Sequence, residues 1–546
     1  MNRSKGSPSD RSITPAARAE RKAPAPPPAP ASAPAPAPSG PAPAATPSTP
    51  APSAATPSAP AAPAATPSAS DFLQLNPADA PQGGLADWLA RQIRRAVADG
   101  LLPVGSRLPA TRVLAAELGV SRGVVTEAYR RLTEDGHVAG RGRGGTVVVA
   151  APLAEPTDVR RPVDDEASGR RALFRAPPGT DAFDALRAAP ARIDLSPGLP
   201  DLAAFPRAAW LRAERSVLAG LVPADFGYGD PRGTPALRRA VARWLARNRG
   251  IAADPEEVLV VAGTAQALGL LAAVLQDAGT TRVAIEDPSS LGLRQHLHVS
   301  GLQAPPVPVD ARGVRVDALR ATGAPAVLLT PAHQFPTGVV LDGARRRELA
   351  AWAREGGLIV EDDYDAEHRY DRPPVPALRS TLPEHVAYAG SVSKLLAPAL
   401  RVGWLLAPRG LHAALVEAKR FADLGNAALP QLVLAHLMET GGLERHLRLL
   451  RRRHRARRDT MIEAVRTHLP GAVVHGAAAG LHLMVTFADR YDDTALAAAA
   501  LERGVKVQPL SWHAQRPQPP GLVLGYAAST PTDITEGVAL LGRLLR

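Results

Sequence analysis

Residues 388–404 read YAGSVSKLLAPALRVGW. The stretch leaves an apolar strand expected at 386–389, turns through Gly390, Ser391, Val392 and Ser393 onto Lys394, and passes Arg401 into a second apolar strand at 402–407. Its lysine is one of only five in the chain (Lys5, Lys22, Lys394, Lys419, Lys506), although Lys and Arg together number 64. Chemistry that needs a primary amine therefore has few places to go, and Lys394, between the serines and Arg401, is the candidate.

Further apolar strands are expected upstream at 258–262, 282–285, 326–330 and 358–361, each followed by helix-length sequence, so a mostly parallel sheet with crossover helices is the expected architecture. The segments after these strands are chemically loaded: Gly263-Thr264-Ala265-Gln266 opens a helix, Glu286-Asp287-Pro288 follows the second strand, PAHQFPTG (331–338) the third, and Asp362-Asp363-Tyr364-Asp365 the fourth. In an open α/β sheet the loops at the carboxyl ends of the strands line the ligand crevice. One lysine, an acid beside a tyrosine and a helix N-terminus that can cradle a phosphate suit an aldehyde cofactor bound as a Schiff base. The lysine supplies the imine and the acid keeps a pyridine nitrogen protonated so that the ring draws electrons.

The N-terminal part has a different texture. Residues 23–70 hold 17 prolines in 48 positions with no charge, which leaves nothing to build a core, so residues 1–82 are expected to be a disordered tail. From Leu85 the spacing predicts a helix stopped near Gly100, a second helix at 111–118 and a third at 121–134, with Ser121 as N-cap, Val124, Ala128 and Leu132 as the inward stripe and Gly136 as terminator. A β-prone hairpin around Arg141 and Arg143 follows. Two helices joined by Gly119-Val120 match helix-turn-helix spacing, which directs Ser121, Arg122, Thr126 and Tyr129 at double-stranded DNA, with Arg141 and Arg143 reaching the backbone or minor groove. Residues 151–190 are rich in Pro, Arg and Asp without periodicity and are expected to be a linker.

Composition sets outer limits. The chain has 546 residues, too many for one ordinary domain, a net charge of +12 that suits an anionic partner, and no cysteine, which excludes disulfides and thiolate metal sites. MNRSKGSPSD has no apolar run behind its charges, and no stretch is long and apolar enough to span a bilayer, so a cytoplasmic protein without membrane contact and without a metal site is expected.

Two sets of strings carry a family resemblance. GLLPVGSRLPATRVLAAELGVSRGVVTEAYRRLTEDGHVAGRGRGGTVV resembles the winged helix of GntR-type transcription regulators, and YGDPRGTPALRRAVARWLARNRG, TPAHQFPTGVVL, IVEDDYDAEHRYDRPP and YAGSVSKLLAPALRVGW resemble the aminotransferase-like half of the MocR/GabR subfamily. The resemblance implies a multidomain fold: a winged helix-turn-helix at 83–150 and, at 191–546, a large α/β fold-type-I pyridoxal-phosphate domain with a small C-terminal subdomain. It implies DNA contacts from Arg112 and Arg122. In the large domain it implies the Schiff base at Lys394, Asp362 on the pyridine nitrogen, Tyr364 on the phenolic oxygen O3′, and the phosphate on Arg401, Thr264, Ala265, Gln266, Ser391 and Ser393. His333, Gln334 and Phe335 would line the ring, and Tyr228 would reach the neighbouring subunit of a homodimer. Two departures stand out: Ser290 occupies the place where the family commonly has a ring-stacking tyrosine, and Trp512, His513 and Arg516 are the candidates for the effector-carboxylate arginine without matching it. The expected function is a pyridoxal-phosphate-dependent regulator that senses an amine, an amino acid or the cofactor itself; the alternative is an active aminotransferase with an appended DNA-binding domain.

Overall fold

Helix α1 (Leu85–Ala98) buries Leu89, Ile93 and Val97 against α2 (Thr111–Glu117) and α3 (Arg122–Glu134), as their i, i+4 spacing requires. The computed structural model describes residues 75–81, 84–142, 145–150, 173–174, 177–365, 367–370, 375–488 and 491–546. Ser121 caps α3, its hydroxyl accepting from the Val124 amide at 3.4 Å. The wing pairs β1 (Val138–Gly140) with β2 (Thr146–Val148) antiparallel.

The inward stripe of α3 differs from the expected one. Val125, Ala128, Tyr129 and Leu132 are buried, whereas Val124 is only half-buried. Tyr129, expected to face DNA, is 6% exposed and donates its hydroxyl to the Pro109 carbonyl at 2.9 Å. An aromatic ring adjacent to Ala128 on the helix wheel covers more apolar area inside than a phosphate contact outside would recover.

Beyond the short β3 (Ile193–Asp194), the large sheet contains β4 (Leu259–Val261), β5 (Val283–Asp287), β6 (Pro306–Asp310), β7 (Gly313–Val314), β8 (Ala326–Leu329), β9 (Leu358–Asp363), β10 (Val386–Ser391) and β11 (Gly403–Leu406). Their spatial order is β4-β11-β10-β9-β8-β5-β6-β7, with β6, β5, β8, β9 and β10 parallel and β11 antiparallel to both its neighbours. The expected parallel sheet is therefore present, with an inserted antiparallel strand formed because only a short turn, the one bearing Lys394, separates β10 from β11. The prolines of β6 hid that strand from the sequence reading; they are tolerated near the sheet edge, where β7 contributes only two residues.

A four-stranded antiparallel sheet, β12 (Val473–His475), β13 (His482–Thr486), β16 (Gly521–Gly525) and β15 (Gln508–Pro509), builds the C-terminal subdomain, while β14 (Val505–Lys506) pairs in parallel with β3. The helix Gly442–His468 leads into this subdomain. Its core also takes Ala182 and Leu186 from a helix at Ala182–Ala188, so the segment expected as linker is structured from residue 177 onward: two apolar residues four apart suffice to dock one turn. Most of the expected linker, 151–172, and the tail to residue 74 lie outside the described residues.

Tyr129→Phe removes one buried hydrogen bond and leaves the Pro109 carbonyl unpaired. The winged helix should lose about 1 kcal/mol while the salt dependence of DNA binding is unchanged, as denaturant unfolding and binding titrations would record.

Candidate functional site

Alternation along β9 sorts three consecutive acids. Glu361 and Asp363 point to one face: Glu361 accepts from the Leu378 and Arg379 amides at 2.9 and 3.1 Å, and Asp363 pairs with Arg249 at 2.5 Å and accepts from the Tyr388 hydroxyl at 2.6 Å. Asp362 points to the other face, where it accepts from Thr264 Oγ1 at 3.2 Å. Asp362 thus lies inside the strand, one residue before its end, rather than following it in a loop, as the sequence had suggested. Burial is the main cause that pushes its carboxyl up to about 7, with Thr264 opposing.

Lys394 lies in the turn after β10, its ammonium donating to the Gly198 carbonyl. Gly198 has φ +80°, and a Cβ there would stand 3.4 Å from Lys394 Nζ, so glycine is what admits the amine. Burial pulls the Lys394 pKa down, and the charges of Asp362 and Asp365 oppose it. Asp362 is buried and Lys394 half-buried, yet neither is the other's hydrogen-bond partner.

At the opposite end of the site the helix Thr264–Asp277 begins at Gly263 (φ +94°) with no side chain capping it, and a Cβ on Gly263 would meet the Arg401 guanidinium at 3.6 Å. An uncapped N-terminus beside an arginine is an anion cradle. Ser391 Oγ accepts from the Ser393 amide at 3.3 Å, leaving its own proton free.

Tyr364 donates to the His333 carbonyl at 3.2 Å and stands 3.2 Å from His333 Nδ1, which itself lies 2.9 Å from Asp365. Burial is the first cause that raises the phenol well above its ordinary range. His333, Asp365 and His482 bring one ligand atom each within 4.8 Å of one another, but His333 Nδ1 is engaged by Asp365 and His482 Nε2 by the Pro336 carbonyl at 3.3 Å.

Other expected residues have different partners. Gln334 donates to the Pro288 and Phe335 carbonyls and accepts from Thr337, so it clamps its own turn and has no donor left for a cofactor. Gln266 accepts from the Ala262 amide and donates one of its two amide protons to Asp423. Ser290 caps the helix Leu291–Val299. Trp512 stacks on Phe174 at 5.0 Å, His513 is buried against Gln508, and Arg516 is held by Asp287 at 2.8 Å, so none offers a free carboxylate clamp. Tyr228 is 96% exposed. Arg112, Ser121, Arg122, Thr126 and Arg141 all lie on the surface of the winged helix, whereas Arg143 lies outside the described residues.

Sequence reasoning missed Gly198, Asp365 and Asp201. Gly198 and Asp201 sit in SPGLPD (196–201), a turn whose pattern announces a bend but no chemistry.

A mostly parallel sheet with an antiparallel strand inserted at β11, a lysine after its neighbour β10 and an acid near the end of β9 define a fold-type-I aminotransferase-like protein joined to a winged helix. The family described as aminotransferase class I and II matches residues 192–540, and that of bacterial regulatory proteins, gntR family, matches residues 85–148. The probable rhizopine catabolism regulatory protein MocR of Rhizobium meliloti is 32% identical over 82% of this chain and 91% of its own length. The pyridoxine biosynthesis transcriptional regulator PdxR of Corynebacterium glutamicum is 32% identical over 80% and 90%. Among solved structures, the α-aminoadipate aminotransferase LysN of Thermus thermophilus, complexed with N-(5'-phosphopyridoxyl)-L-leucine, superposes with a TM-score of 0.61 at 28% identity, covering 70% of this chain and 96% of that one. The chain belongs to the aminotransferase class I and II family, in the branch of transcription regulators that carry a GntR-type winged helix. The cofactor of this fold is pyridoxal phosphate, and the site fits it: a half-buried amine and a buried carboxylate held apart, with an anion cradle beside them.

The raised Asp362 carboxyl gives a pH test. The folded, cofactor-free protein holds that proton more tightly than the unfolded chain, whose aspartates titrate near ~3.9, so its stability falls as pH rises from there through about 7. Asp362→Asn removes that loss. Relative to wild type, the cofactor-free variant should gain stability at pH 8 compared with pH 4, its thermal unfolding midpoint moving up against that of the wild type as pH rises.

Proposed function

We propose that pyridoxal phosphate binds at the carboxyl ends of β4, β9 and β10, and that occupancy of this site, by the cofactor itself or with a small amine or amino acid, sets the grip of the winged helix on a double-stranded operator. Lys394 would anchor the cofactor, Asp362 would pair with its pyridine nitrogen and Tyr364 would face its phenolic oxygen. Thr264, Ala265, Ser391, Ser393 and Arg401 would hold the phosphate, and His333 would stand beside the ring. When bound, the cofactor supplies an aldehyde carbon and an electron-withdrawing ring. The chain's own residues hold it in place, exclude water from the amine and keep the phenol proton directed inward.

One observation carries the regulatory reading: a continuous line of contacts from Lys394 to the recognition helix. Lys394 binds the Gly198 carbonyl, and three residues on, buried Asp201 takes Arg453 at 2.8 Å and Arg457 at 2.9 Å. Arg453 also donates to the carbonyl of Asp135, the C-cap of α3, at 3.4 Å, and packs so closely on Gly136 that a Cβ there would overlap its guanidinium. Displacing the 198–201 segment therefore changes what Arg453 offers to α3. A ligand shifts DNA affinity through this line only if it binds the two arrangements unequally.

The protein acts in the cytoplasm as a homodimer. Support for the dimer comes from Tyr228, Phe226 (69% exposed) and Phe421 (80% exposed), large apolar groups that a single chain leaves in water. On DNA, Arg112, Arg122, Ser121 and Thr126 face the groove and Arg141 the backbone.

Footprinting on the protein's own upstream region, with and without pyridoxal phosphate and candidate amines, tests this. A cofactor-dependent footprint is expected; Arg453→Met should still take up the cofactor but lose the difference, and an undiminished difference would refute the line of coupling. Arg122→Ala should weaken specific binding by about 1–3 kcal/mol and non-specific binding far less. Lys394→Ala should lack the covalent visible-absorbing species, and a panel of amino and keto acids should give the wild type at most a slow half-reaction.

A further inference from the structure

Tyr364 is the residue whose proton the cofactor's phenolic oxygen would meet, and its neighbours decide where that proton goes. His333 Nδ1 lies between two oxygens, Asp365 Oδ2 at 2.9 Å and the Tyr364 hydroxyl at 3.2 Å, and Asp365 and His333 are both buried. A carboxylate only accepts, so the shorter contact requires the ring proton on Nδ1. The tyrosine oxygen then meets an N–H rather than a lone pair, which is why its own proton turns to the His333 carbonyl at 3.2 Å. The other ring nitrogen, Nε2, is buried without a partner beside Gly338, whose added Cβ would stand 3.1 Å from it, so no competing acceptor pulls the proton across.

Resting on the cofactor reading above, we propose that Asp365 is a positioning residue: through His333 it fixes the Nδ1–H tautomer and so keeps the Tyr364 hydroxyl a donor toward the cofactor's phenolic oxygen. Without Asp365 the imidazole is free to present a lone pair at Nδ1, and the tyrosine proton goes there instead. Among the described residues, the other charged or titratable groups acting on this cluster are Asp362, Lys394, Glu286 and His482 on the Tyr364 and His333 side, Glu367, His368, Tyr370 and Tyr526 around Asp365, and His513 beyond His482. His482 is held neutral by burial, its pKa lowered to about 3, so the proton it lacks does not compete for Asp365.

The colour of the lysine-bound cofactor reads the tyrosine directly. A donor on the phenolic oxygen weakens the hydrogen bond from the imine nitrogen to that oxygen, so the imine gives up its proton at lower pH. Loss of the donor raises the midpoint of the colour change, whereas loss of a nearby negative charge lowers it. Asp365→Leu, which has no acceptor for the ring proton, is expected in the full-length holoprotein to raise the midpoint by about one pH unit, a tenfold change, and to give no rise in a Tyr364→Phe background. A fall of the midpoint, or the same shift in both backgrounds, means that Asp365 acts as a charge alone and overturns the proposal. A second measurement needs no cofactor and no variant: ¹⁵N chemical shifts of the His333 ring in the cofactor-free protein should report a proton on Nδ1, and a proton on Nε2 overturns it. Failure of the wild type to take up colour would count instead against the cofactor reading, and the ring tautomer would still decide the role of Asp365.

Discussion

The structure depends on keeping a half-buried ammonium and a buried carboxylate apart. Lys394 spends its proton on a backbone carbonyl and Asp362 accepts from a threonine, and burial displaces both from their ordinary ionisation. Two opposite charges in a low-dielectric pocket would gain most by closing into a pair. Here β9 and β10 are adjacent parallel strands whose register puts Asp362 opposite Ala389, while the lysine, beyond the end of β10, is held by the Gly198 carbonyl. A flat heterocycle with a cationic nitrogen at one side and an aldehyde carbon at the other satisfies both charges at once.

The scaffold around this gap is over-determined. Asp363 and Glu361, on the far face of the same strand, are tied to Arg249, Tyr388 and two backbone amides, so β9 cannot slide without breaking several buried hydrogen bonds. The helix Gly442–His468 is anchored similarly, since Arg457 donates to Asp201 and to the Ala527 carbonyl. Arg453, four residues earlier on that helix, holds the same aspartate and also the end of α3, so the stiff element that borders the cofactor domain is the one that touches the DNA-binding domain.

The departures from the commoner family pattern have local structural uses. Ser290 caps a helix where a stacking ring would otherwise stand, and Arg516 neutralises Asp287. The small apolar cluster of Met484, Leu510, Val523 and Phe335 occupies the subdomain face near His482. The reading in which the ligand is the cofactor itself or a simple amine asks nothing of these positions that they do not already supply.

Much of this was written in the chain. Helical spacing from Leu85, the Ser121 cap, the alternation of strand and helix after 258, and the rarity of lysine each follow from local rules, so the winged helix, the sheet and Lys394 were legible before any coordinates. What only the tertiary structure decided are contacts between residues far apart in sequence: Tyr129 inside rather than on DNA, Gln334 donating to backbone carbonyls, Gln266 donating to Asp423, Asp365 on His333, Arg453 on Asp135. A polar side chain's type says what it is able to bind, but its hydrogen bonds are finite, and which partners take them is settled by the packing that brings distant segments together.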